Sequence, residues 1–151
     1  STLHTNDSTS AIIRLIDMGI EPYLIASSLV GVMAQRLVRL NCPQCSELIS
    51  PPLKELQQIF PAGEDFSAIK YRTGKGCELC FNEGYYGRKG IFELFVIDEE
   101  IRNMISEKIS STEIKKAALK KGLITLKMDG AAKIKEGLTT ISEVLRVTQE
   151  V

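Results

Sequence analysis

The sequence lacks a surplus of either charge. Lysine and arginine total 19, as do aspartate and glutamate. No global field is therefore present to draw in nucleic acid or an anionic membrane. No apolar run approaches the roughly 20 residues needed to span a bilayer. The opening residues, STLHTND, are not a signal peptide, so a cytoplasmic protein is expected. There is no initiator methionine, and residues 1–5 read as the end of a strand whose beginning is missing, so a fragment of a longer chain is expected. The phosphate-cradling pattern G-x-x-x-x-G-K-[ST] occurs nowhere in the 151 residues, and no nucleophile with a general base replaces it. Cysteine is confined to four positions and histidine to one.

What is present suffices for a folded domain. An apolar content of 44% supports a packed core and argues against disorder. Asn6, Asp7 and Ser8 are good caps for a helix carrying Ile12, Leu15 and Ile16 on one face, with Gly19 as its stop. Pro22 suits the first position of a second helix, ended by Gly31. Residues 32–40 read as a strand. A helix is expected from Pro51-Pro52 to about Phe60, broken by residues 61–63, and residues 71–76 form a turn-rich approach to the second cysteine pair. Residues 84–90, with three glycines, suit a turn or bulge leading into a strand at 91–97, apolar apart from Glu93.

Helical signals dominate the remainder. Asp98 is placed to cap one helix, with Glu99 and Glu100 complementing its dipole. Ser110 with Glu113, and Thr140 with Glu143, have the spacing of capping boxes, and Ile109 with Ile114 that of a hydrophobic staple. Gly122 and Gly137 are stops. A bundle of short helices is expected over 98–151. Its eight lysines between Lys108 and Lys135 read as a solvated face, because acidic residues are interleaved.

The four cysteines form two C-x-x-C pairs, Cys42 with Cys45 and Cys77 with Cys80. Each pair can set two thiolates on one side of a tight turn. Four thiolates close a tetrahedron around zinc and leave no open position, which makes the site structural rather than catalytic. In a reducing compartment this reading stands ahead of disulfides. A redox pair would need a C-x-x-C opening a helix beside a βαβ unit, which the pattern does not supply. A stand-alone zinc ribbon binding protein or nucleic acid is the competing reading, but neither pair is flanked by the basic and aromatic residues that would contact bases. His4 lies in a polar stretch ahead of a helix, where an imidazole could donate to a phosphate or simply be a polar strand end.

Several segments occur together in one order: residues 1–7 (STLHTND), 14–19 (RLIDMG), Glu21-Pro22, 34–39 (AQRLVR), the two cysteine pairs, 84–88 (GYYGR), 90–93 (GIFE) and 137–148 (GLTTISEVLRVT). This set resembles the C-terminal part of the type II secretion and type IV pilus-assembly ATPase family. The likeness covers nearly the whole chain and is weakest over 46–76.

The resemblance implies an α/β fragment. Residues 1–41 would be the C-terminal end of a RecA-like ATPase core, 42–80 a tetracysteine zinc lobe, 81–97 a strand returning to the core, and 98–151 the helical bundle. It implies a hexameric, cytoplasmic motor that uses ATP and Mg2+. The motor would sit at the inner membrane through secretion or pilus-assembly partners, without spanning it and without binding nucleic acid. His4 matches the family's histidine box near the γ-phosphate, and Arg88 the arginine of its G-R-x-G motif. An ion pair of Arg88 with Glu93 is the structural alternative. Arg14 could serve at a subunit interface or the nucleotide site, or pair with Asp17. Cys42, Cys45, Cys77 and Cys80 match the family's structural zinc site. The family's phosphate-binding loop and acidic boxes lie upstream of the histidine box, so these 151 residues alone are expected to be inactive. Ser8 stands where the family often has alanine.

Overall fold

A computed structural model describes residues 1–51, 53–60, 66, 69 and 71–149. Among these are seven α-helices and four strands: α1 (Ser10–Asp17), α2 (Pro22–Ser28), β1 (Gly31–Asn41), β2 (Ser46–Leu48), α3 (Leu53–Ile59), β3 (Arg72–Gly74), β4 (Tyr85–Val96), α4 (Glu99–Ser106), α5 (Ser111–Lys120), α6 (Leu126–Lys135) and α7 (Ile141–Thr148). Pro52 and residues 61–63, expected to open and break α3, lie outside the described residues. None of the described helices is long and apolar enough to cross a membrane.

By internal contacts the chain forms two units. One comprises Ser1–Ala34 with Phe92–Thr125, the other Gln35–Ile91 with Leu126–Val151. The last four helices, expected as one bundle, are thereby shared out. Helices α4 and α5 belong with α1 and α2, while α6 and α7 belong with α3. Strand β1 pairs with β4. The Ile97 N–H donates to the Val30 carbonyl at 3.0 Å, and the Cys42 N–H to the Gly84 carbonyl at 2.9 Å, so the strands run antiparallel. Strand β4 begins at Tyr85, six residues before the apolar run that announced it. Its first stretch is exposed and glycine-rich, so hydrophobic alternation could not reveal it. Gly87 sits inside the strand with φ of +80°.

In the first unit, helix starts follow local capping chemistry. The Asp7 carboxylate accepts the Ser10 N–H at 2.8 Å and so opens α1. Asp98 accepts the Ile101 N–H at 3.0 Å, and the Ser110 hydroxyl accepts the Glu113 N–H at 3.3 Å. The apolar faces meet in one core built on Ile12, Ile25, Phe95, Ile101, Ile105 and Ile114, with Ile109 packed against it as the staple predicted. Residues 1–5 form no strand; the chain there is irregular up to the first turn of α1.

In the second unit, α6 and α7 cross closely. A Cβ on Gly130 would lie 2.5 Å from a Val144 methyl, so only glycine fits there. Strand β2 pairs antiparallel with β3, Ser46 opposite Gly74 and Leu48 opposite Arg72. Both strands are three residues long, too short to alternate visibly, and the expected turn at 71–76 contains β3. The two capping boxes are half realised. The Thr140 hydroxyl accepts the Glu143 N–H at 3.2 Å, but the Glu143 carboxylate does not fold back to the cap. It accepts instead from the Arg39 N–H (3.0 Å), the Arg39 guanidinium (2.8 Å) and the Arg146 guanidinium (2.7 Å). The guanidinium of Arg39 also lies 4.2 Å over the Tyr85 ring.

Most of the tail lysines with described partners are held by carboxylates: Lys115 by Asp7, Lys116 by Glu113, Lys121 by Asp98 and Glu100, Lys133 by Asp129; Lys133 is largely buried rather than on a solvated face.

Burial alone would raise the Glu143 carboxyl, but Arg146 and Arg39 outweigh it and hold it at about 2. Asp7 is likewise held at about 2, its partial burial outweighed by Lys115 and the Ser10 N–H. A depressed carboxyl stabilises the fold above its unfolded pKa, near 4. That stability is lost as pH falls through the folded value. Unfolding free energy is therefore expected to be flat above pH 5 and to decline between about pH 4.5 and 2. Glu143→Ala is expected to cost about 3 kcal/mol at neutral pH, read by urea denaturation, and to flatten that acid decline.

Candidate metal centre

Strand β1 ends at Asn41, and the next residues, Cys42 to Cys45, turn back on themselves. The Ser46 N–H donates to the Cys42 carbonyl at 3.0 Å. The second pair straddles a single 3-10 turn, Glu78–Cys80. That turn is closed by Phe81 and Asn82, both with left-handed backbone, at φ of 51° and 63°. Gly74 and Gly84 let the chain close tightly on either side of the second pair, and the Gly84 carbonyl takes the Cys42 N–H at 2.9 Å. A Cβ on Gly74 would fall 2.1 Å from the Gly84 carbonyl oxygen.

These turns bring all four sulfurs within 4.8 Å of one another. The Cys42 and Cys77 sulfurs are 3.7 Å apart, Cys45 and Cys80 3.8 Å, and Cys77 and Cys80 3.7 Å. A tetrahedron with metal–sulfur bonds of about 2.3 Å has edges of about 3.8 Å, so the spacing fits a four-thiolate ion. The same spacing is far beyond a bonded S–S distance of about 2.05 Å, and all four cysteines are free.

Electrostatics favour thiolate at one corner. The Cys80 sulfur is buried, which disfavours charge. Even so, the N–H groups of Cys77 (3.2 Å) and Gly84 (3.3 Å) point at it and hold its pKa down at about 7. Burial and the surrounding thiols push Cys45 up to about 11. A bound cation would reverse that second shift, since metal-bound thiols lose their protons. An ion held by four protein ligands would have no place for substrate, as in a structural site.

The other residues singled out in the sequence do not gather at this centre. His4 is exposed in the irregular segment before α1. Arg14 is exposed on α1, in a shallow cleft with Thr5, Asn6, Ser10, Asp17 and Ser111. Among the described residues Arg14 makes no ion pair, so the expected bond to Asp17 is not formed. Arg88 is exposed on β4 and belongs to the second unit, whereas His4 and Arg14 belong to the first. Glu93, its alternative partner, is 1% exposed on the face that β4 buries with Ile91 and Phe95. Its carboxylate takes the N–H and hydroxyl of Ser8. Five residues along a strand separate Arg88 from Glu93, an odd number, which sends them to opposite faces.

Sequence reasoning missed the Ser8–Glu93 pair. The signal was a lone carboxylate in an apolar strand, but its partner lies 85 residues away.

The model of the family described as type II/IV secretion system protein matches residues 1–146. Among curated relatives, the type IV pilus assembly ATPase PilB of Thermus thermophilus is 44% identical over 99% of this chain and 17% of its own length. The type II secretion system protein E of Pseudomonas aeruginosa is 45% identical over 99% of this chain and 29% of its own length. The type II secretion system ATPase E of Vibrio cholerae is 42% identical over the same shares. The chain thus spans less than a third of the length of these relatives.

Elemental analysis of the purified chain is expected to find about one tightly held metal ion per molecule. Chelation, or Cys80→Ser, should release it and raise protease cleavage between residues 42 and 84. Protection there that survives complete metal removal would refute a structural role.

Proposed function

From the premise that the chain belongs to the type II/IV secretion system protein family, we propose that it is the C-terminal part of a motor ATPase driving protein secretion or pilus assembly. The observation that carries this reading is identity of 42–45% across 99% of the chain to relatives named as secretion or pilus-assembly ATPases. Residues 1–41 and 81–97 would complete a RecA-like core whose phosphate-binding loop lies elsewhere in the protein. ATP with Mg2+ would be the fuel and a hexamer the working form. The motor would act in the cytoplasm at the inner membrane, through membrane-protein partners.

Within that motor His4 would sense or stabilise the transferring phosphate, and Arg88 would bring positive charge toward a nucleotide. Phosphoryl transfer depends chiefly on placed charge, and both side chains are exposed rather than spent inside the fold. Arg14, exposed and without an ion pair among the described residues, would face a neighbouring subunit or the nucleotide. The four cysteines would hold zinc, the ion suited to a closed tetrathiolate, as a brace for residues 42–80.

In the full-length protein, His4→Ala and Arg88→Ala are each expected to lower kcat for ATP by roughly 100-fold, the scale of losing one group that stabilises transition-state charge. The 151 residues alone should show no turnover. A steady release of phosphate by the isolated chain, or full activity in both variants, would sink the reading.

A further inference from the structure

Strand β4 buries one face, and every inward position named above is apolar except Glu93. A carboxylate at 1% exposure must be answered by donors. Its Oε1 accepts the Ser8 N–H at 2.9 Å and the Ser8 hydroxyl at 2.5 Å. Ser8 and Thr9 are buried at 0% and 1%. One residue earlier, the Asp7 carboxylate takes the Lys115 ammonium at 2.5 Å from α5 and caps α1 through the Ser10 N–H. Residues 1–9 have neither helix nor ladder of their own. The segment is therefore fixed at Asp7 and Ser8 by groups more than 80 residues away, and His4 stands just ahead of the fixed point.

We propose that Glu93 is a positioning residue for His4. It holds the Asp7–Ser8 backbone against β4, so that the exposed imidazole is presented in a set place to a phosphate. A carboxylate suits this task, because one oxygen can accept both Ser8 donors. Alanine would leave a buried N–H and a buried hydroxyl without an acceptor. Ser8 deepens the hold beyond what an alanine could give, since alanine would offer only its N–H. This inference rests on the phosphate-sensing reading of His4.

The test is a mutant cycle on ATP turnover by the full-length protein. Glu93→Ala is expected to lower kcat by roughly 10- to 100-fold with little change in KM, as misplacement of a group acting at the transition state would do. Glu93→Gln, which keeps one acceptor oxygen, should recover part of the loss, and Ser8→Ala should cost only a few-fold. Lys116→Ala, an exposed pair on α5, is the unchanged control. In the His4→Ala background, Glu93→Ala should cost almost nothing further. The same fold-loss with and without His4 would mark a merely structural role and overturn the proposal. So would a folded Glu93→Ala protein with the unaltered kcat. If Glu93→Ala fails to fold, Glu93→Gln carries the same cycle. A His4→Ala protein as fast as the unaltered one would instead overturn the reading of His4 itself.

Discussion

A carboxylate taken out of water must find its hydrogen bonds inside the protein, and among the described residues each unit contains one such group. Glu93 and Glu143 are both 1% exposed. An unanswered buried charge costs several kcal/mol, more than most single contacts return. Each therefore dictates where other segments lie. Glu143 draws the backbone and guanidinium of Arg39 to the start of α7, 104 residues further on. Glu93 draws Ser8 to β4 across 85 residues. The apolar cores supply the bulk of the driving force, and the two carboxylates select which arrangement of those cores is free of stranded charge.

The four-cysteine cluster follows a related rule with sulfur in place of oxygen. Backbone N–H groups of Cys77 and Gly84 are aimed at the Cys80 sulfur, and they exist only because Phe81 and Asn82 accept left-handed geometry. That geometry is unfavourable for a phenylalanine, and Phe81 is 87% exposed, so its own side chain recovers little by burial. The turn is held by what it does for the sulfurs. The close approach of Gly74 to Gly84 closes the loop that carries the second pair, and the short β2–β3 ladder with the Cys42 N–H bond to the Gly84 carbonyl brings the first pair, separated from it by 31 residues, alongside it.

Much of this was legible in the sequence, and the limits have physical causes. Caps were visible because their chemistry spans three or four residues: Asp98, Ser110 and Thr140 all open helices. The cysteine cluster was visible because C-x-x-C fixes its own turn. Strands were visible only where one face is buried. Residues 91–97 showed themselves, whereas residues 85–90 and both three-residue strands did not. The carboxylates show the same limit. Local spacing proposes nearby partners, a capping box for Glu143 and, as one of two alternatives for Arg88, an ion pair with Glu93. Burial, which sequence does not display, gives Glu93 the distant Ser8 and gives Glu143 the distant Arg39 beside its near neighbour Arg146.

The division into units has a consequence for how the chain is made. The backbone changes unit three times, after Ala34, after Ile91 and after Thr125. Neither unit is a continuous stretch, so neither can close while the chain is still being synthesised in its middle. The sulfurs are all available once Cys80 has emerged, but the carboxylate that answers Arg39 arrives 63 residues later, with α7. Synthesis at roughly 5–20 residues per second makes that a wait of seconds, during which the strand bearing Arg39 has no buried partner to lock it. An ion held by the four sulfurs would give the second unit a fixed point long before its last helix comes.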